Sequence, residues 1–196
     1  MTSSRSKAAR VPLLDPEASK RAAETASVPA QLAELNIFRV LLQRPATAKA
    51  MSDLLLSLLF GGDLPDRHRE LLIMRIGWVT GADYEWTQHW AIAQERFGLR
   101  AEELLAVREW RASSCFDPSD RAVLAATDET LETGTISEAT WAMCERALGN
   151  VNSCIELVAA IGTWHLVSQF TRGLAIPLED GVGSWPPDGR EPPAAL

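Results

Sequence analysis

The chain reads as all-α. Every strong hydrophobic period in its 196 residues is helical, and no alternating strand pattern persists anywhere. Proline and glycine also fall at the starts and stops of the helical runs. Hydrophobic residues make up 46% and charged residues 23%, the balance of a soluble globular protein long enough to build a real core. The net charge of −7 argues against nucleic acid as the main partner, because phosphate binding needs a basic face. No apolar run approaches the roughly 20 residues of a membrane span.

The elements follow in order. Residues 1–28 read as an extended N-terminal arm, since Pro12 and Pro16 disfavour regular structure around them. The basic, Ser-rich start has no apolar segment behind it, so a disordered arm is expected rather than a secretory signal. A helical domain is expected over 29–174. Within it, Leu32, Leu35, Ile37, Val40 and Leu41 take helical spacing, and Pro45 opens a helix that Gly61-Gly62 ends. Pro65 opens the next, with Glu70, Met74 and Trp78 on one face. Thr80 and Asp83 have the spacing of a capping box for the helix after it, which Gly98 stops. A short helix is expected over Ala101–Trp110. Asp117-Pro118 starts another that Gly134 closes, Ser137 starts one ended by Gly149, and a long helix spans roughly Asn152–Arg172. Residues 175–196 form a Pro/Gly-rich tail.

The centre of interest is Arg67–His89. It holds two of the three histidines and the only tyrosine, on two helices joined by a tight turn that makes them antiparallel. Glu85 and His89 are i and i+4 and share a face, and Glu70 lies on the preceding helix. A histidine beside two carboxylates makes a good proton shuttle, because its ordinary pKa is ~6.5 and carboxylates raise it. His89, Glu70 and Glu85 are therefore the candidate catalytic residues. Trp86, Tyr84, Trp78, Arg39 and His165 are the candidate substrate contacts, the tryptophans as a low-dielectric wall. The same Glu–His spacing also suits a solvated brace, and tryptophans at helical spacing also suit a core. His68, beside arginines at a helix start, is expected at the surface. Neither HxxxH nor HExxH occurs, so no metal is expected. Cys115, Cys144 and Cys154 lack CxxC spacing; buried packing and a reducing cytoplasm suit them.

The run RELLIMRIGWVTGADYEWTQHWAIAQERFGLRAEEL resembles the carboxymuconolactone decarboxylase and alkyl hydroperoxidase D-like (AhpD-like) superfamily. Arg69-Glu70, Tyr84-Glu85-Trp86, His89, Gly98-Leu99 and Glu102-Glu103 carry the likeness. RVPLLDP, NIFRVLLQRP and GLAIPLEDG extend it over nearly the whole chain. The resemblance implies an AhpD-like multi-helix bundle built around the antiparallel pair, with Glu70 and His89 matching the family glutamate and histidine. Peroxidase-type members carry a CxxC where this chain has Ala82 and Glu85. Without a thiolate there is no sulfenic intermediate, so thiol peroxidase activity is not expected. The resemblance then implies the cofactor-free branch: acid–base chemistry, decarboxylation or isomerisation, on a small carbonyl, lactone or keto-acid substrate. A non-catalytic helical protein that binds a small ligand is the competing expectation. The family also implies trimers or hexamers, and proline-rich arms with abundant tryptophan fit chains that wrap neighbours.

Overall fold

The computed structural model describes residues 9–193; the first eight residues, and with them most of the basic Ser-rich start, lie outside it. Among the described residues there are nine α-helices, two 3-10 helices and no strand. The α-helices are α1 (Pro16–Ala26), α2 (Asn36–Leu41), α3 (Pro45–Leu59), α4 (Asp66–Thr80) and α5 (Asp83–Glu95). They continue as α6 (Ala101–Ala106), α7 (Pro118–Thr133), α8 (Glu138–Leu148) and α9 (Val151–Gly173). None is long and apolar enough to cross a membrane.

Helix α4 is the axis of the bundle. Its Leu71, Leu72, Ile73, Met74 and Ile76 are all fully buried, so it is covered on every side, the condition of a central helix. Leu72, Ile73 and Ile76 pack into one core with residues of α7, α8 and α9, including Val123, Cys144, Leu157 and Trp164. Leu71, Met74 and Trp78 pack into a second with Trp86, Leu104 and Trp185. A third core joins α1, α2 and α3 to Tyr84, Val167 and Ile176. Arg75 is tied to Asp128 of α7 at 2.6 Å and donates to the carbonyls of Val107 and Arg108. Its charge is thus used in holding α4 to its neighbours.

Several expectations change. The N-terminal segment is extended only as far as Asp15, whose carboxylate caps α1 by accepting from the Ala18 amide at 2.8 Å. Pro16 takes the first turn, where its missing N–H costs nothing. The helical spacing from Leu32 to Leu41 is divided between a 3-10 turn, Leu32–Glu34, and the short α2. Thr80 belongs to α4, its hydroxyl donating back to the Ile76 carbonyl, and Gly81 at φ 68° ends that helix. The helix expected over Ala101–Trp110 is α6 continued by a 3-10 segment. His68 is buried, not surface-exposed, with Nε2 3.6 Å from Asp120. In the Pro/Gly-rich tail, Ile176 and Trp185 are buried against the chain's own helices.

The α4–α5 pair is antiparallel, since Gly77 faces Trp86 while Glu70 meets His89 further along. A Cβ at Gly77 would lie 3.2 Å from the Trp86 backbone nitrogen, so glycine sets the closeness of the two helices. Gly77→Ala gains about 1 kcal/mol of helix propensity but overpacks a site that ordinarily costs about 1–3 kcal/mol. Because the obstructing atom is backbone held by a fully buried ring, a net loss of about 1 kcal/mol is expected in urea denaturation.

Candidate functional site

Glu70, Glu85 and His89 converge where α4, α5 and α9 meet. The Glu70 side chain is wholly buried, and its Oε2 lies 2.8 Å from His89 Nδ1. Its other oxygen accepts from Arg69 Nε at 3.4 Å. Glu85 Oε2 stands 4.0 Å from His89 Nε2, one helical turn away. His89 keeps 8% of its surface and Glu85 5%, so the outer edge of the triad is narrow. From α9, the Trp164 indole N–H points at His89 Nε2 at 3.3 Å, with the rings nearly perpendicular at 82°.

Burial sets the electrostatics. Loss of solvent drives the Glu85 carboxyl up to about 7, reinforced by the charge of Glu70 and opposed by His89. Burial pulls the His89 imidazole down, as does Arg69, but the charges and hydrogen bond of Glu70 and Glu85 outweigh them and its pKa rises. A buried acid that titrates near neutrality beside a histidine held by a second carboxylate is equipped to take up and release one proton.

The substrate contacts expected from sequence are not brought to this triad. The Tyr84 hydroxyl donates to Glu179 at 2.6 Å, and Gln88 donates to the other Glu179 oxygen, so both strap α5 to the C-terminal segment. Trp86 is fully buried, donates its N–H to the Pro186 carbonyl at 2.8 Å, and packs against Trp78, Trp90 and Trp185. The Arg108 guanidinium lies 4.6 Å from the Trp78 ring and 4.9 Å from that of Trp86, and pairs with Asp188. These tryptophans are a core that clamps the tail, on the face of α5 away from Glu85. Arg39 donates from Nε to the Leu14 carbonyl and from Nη1 to Asn36 Oδ1, holding the N-terminal segment. His165 is half-buried, and among the described residues no hydrogen bond or ion pair joins it to the triad. Its neighbour Trp164 makes that contact instead. Trp164 and Glu179 are the residues sequence reasoning missed.

A groove of about 660 Å³ lies elsewhere, between the start of α5, the end of α9 and residues 175–184, lined by Asp83, Tyr84, Arg172 and Glu179 among others. None of the triad lines it. Among the described residues, no cluster of three or more His, Cys, Asp or Glu side chains is disposed to hold a metal ion. The three cysteines are free, and burial pushes the Cys144 thiol up to about 11, away from thiolate chemistry.

The fold is that of the AhpD-like proteins. An uncharacterised peroxidase-related protein from Silicibacter sp. TM1040 superposes with a TM-score of 0.73 at 16% identity, covering 93% of this chain and 97% of that one. A peroxidase-related AhpD-core protein from Ralstonia eutropha JMP134 gives 0.70 at 17% identity, with 89% and 94% covered. A variant of the debrominase Bmp8 in complex with 2,3,4-tribromopyrrole gives 0.67 at 18%, with 87% and 91% covered. No curated protein sequence matches the chain. Residues 45–129 match the carboxymuconolactone decarboxylase family. The matched segment runs from the start of α3 into α7 and so contains Glu70, Glu85 and His89.

The raised pKa values carry a sign for stability. Glu85 binds its proton more tightly in the fold than in the unfolded chain, where its value is the ordinary 4.5. Its contribution is therefore complete below pH 4.5 and lost as pH rises through about 7. His89, also raised, continues the loss above its ordinary 6.5. Glu85→Gln removes the first of these, and at pH 8 should stabilise the protein by on the order of 1–3 kcal/mol. Chemical denaturation at pH 5 and pH 8 checks this: the wild type should weaken between them, the variant much less.

Proposed function

We propose that this chain is a cofactor-free acid–base enzyme of the carboxymuconolactone decarboxylase-like type. It moves a proton at a carbon next to a carbonyl in a small lactone, keto-acid or related substrate, with decarboxylation or isomerisation as the outcome. The observation that carries the reading is the buried line Glu70–His89–Glu85, with 2.8 Å on one side of the imidazole and 4.0 Å on the other. His89 transfers the proton, Glu70 fixes the ring and balances its charge, and Glu85 holds the exchangeable proton near neutral pH. An enolate-like intermediate needs a cationic or hydrogen-bonding partner, and with Arg39 committed to the N-terminal segment, protonated His89 fills that part. Thiol peroxidase chemistry has no support, since Ala82 and Glu85 stand at the two positions where peroxidase-type members have cysteine. Three free cysteines suit a reducing cytoplasm. Glu70→Gln and His89→Ala are each expected to lower kcat by about 10²–10⁴-fold. Full activity in both, measured by screening carbonyl and lactone acids for CO2 release or proton exchange, defeats the proposal.

The groove near Glu179 favours a second reading, a non-catalytic protein that binds a small ligand there. The two separate cleanly, because Glu179→Gln should then weaken ligand binding while His89→Ala leaves it intact.

For self-association, a trimer or hexamer, the support is an apolar stripe on α9. Val151 is 69% and Ile155 62% exposed, and Val158 and Leu166 continue the same face. Such a stripe at helical spacing is the usual seam of a partner helix. Light scattering of the purified chain should give three or six copies, and Ile155→Glu should shift it toward monomer.

A further inference from the structure

We infer that Trp164 is a positioning residue that fixes the tautomer of the neutral His89 imidazole, with the proton on Nδ1 and Nε2 left as the base. This rests on the acid–base reading above and adds which nitrogen of the ring accepts the proton.

A neutral imidazole has one donor and one acceptor nitrogen, and its partners decide which is which. The Glu70 carboxylate, 2.8 Å from Nδ1, accepts and so selects Nδ1–H. An indole nitrogen can only donate, so the Trp164 contact at 3.3 Å requires a lone pair on Nε2. Both contacts are satisfied together by one form alone. A doubly protonated ring would set Nε2–H against the indole N–H, two donors facing each other in a buried site where each needs an acceptor.

The charged groups around the ring pull in both directions. Burial opposes the cation, as does Arg69 from α4, but Glu70 from α4 and Glu85 from α5 itself favour it and prevail, so the His89 pKa lies above its ordinary value. From α9, Trp164 adds a neutral donor that favours the uncharged ring. The proton available for donation then resides on Glu85, whose buried carboxyl titrates near neutrality. When Nε2 takes a proton from a carbon acid, the C–H bond breaks, an N–H bond forms and the electron pair stays on the carbon conjugated to the carbonyl. The indole N–H then loses its acceptor, and the new Nε2–H has Glu85 Oε2, 4.0 Å away, as the acceptor oxygen on its side. Trp164 thereby marks Nε2 as the accepting nitrogen and works against the carboxylates that raise the His89 pKa.

The test reads the tautomer directly and needs no substrate. In protein labelled with ¹⁵N at histidine, the signals of His89 are assigned by their loss in His89→Gln. At a pH above the His89 midpoint they should show a protonated Nδ1 and an unprotonated Nε2. Trp164→Phe keeps an aromatic ring and removes the N–H, and should raise the His89 midpoint by about one pH unit. In the wild type, the Trp164 indole N–H resonance should shift with the same midpoint as the imidazole, a readout that survives if the variant fails to fold. A proton on Nε2 in the neutral ring, or an indole resonance that ignores the His89 titration, overturns the inference. Since these signals do not depend on turnover, loss of the enzymatic reading through an active His89→Ala is a separate result.

Discussion

Where Gly77 faces the backbone of Trp86, α4 and α5 lie so close that even a methyl group at that position would crowd the Trp86 amide. That proximity puts a carboxylate of one helix within hydrogen-bond reach of an imidazole on the other. Because α4 is buried on every side, the carboxylate also arrives without water. Everything distinctive about the triad follows from this pairing. A carboxylate in solvent would screen its effect on His89, whereas a buried one acts through a low dielectric over its full 2.8 Å. The same dryness lifts Glu85 toward neutrality, so one geometric fact accounts for both the strong pair and the poised acid.

The site is defined by what encloses it as much as by its own groups. The aromatic side chains on the other face of α5 form a second core with the tail. Contact with solvent remains only along the edge where His89 and Glu85 keep a few per cent of their surface. The roomy groove belongs to a different part of the molecule, shaped by the segment after α9. Triad and groove are thus separated, so a molecule reaching the triad would have to enter along that narrow edge.

The helical class, the central pair and the triad were legible in the sequence, because period, turn and i, i+4 spacing are local properties. The starts at Asp117 and Ser137 and the stops at Gly134 and Gly149 were read correctly from single residues. The same Asp-Pro pair stands at Asp15-Pro16, but with Pro12 beside it the local pattern points to an extended arm, and the difference is tertiary. Helix α1 has Ser19 and Ala23 buried and a hydroxyl bond from Ser19 to the Ala33 carbonyl, partners its own pattern does not announce. The misassigned substrate contacts have the same origin. Spacing shows that Tyr84, Trp78 and Trp86 lie near Glu85 in the chain, but not which side of α5 the C-terminal segment will occupy. Trp164 escaped for the converse reason: α9 is apolar on both its buried and its exposed faces, so nothing marks one of its tryptophans as facing a histidine.

Glu179 accepts from Tyr84, Gln88 and the Asn36 amide at once. The helix bearing the histidine is therefore moored at its outer side to the far end of the polypeptide and to the start of α2. Register along α5 is set from two directions, by packing beneath and by a tether above. A cut in the chain between α9 and Trp185 would leave the α4–α5 contact at Gly77 in place and yet loosen the outer side of the helix that carries the imidazole.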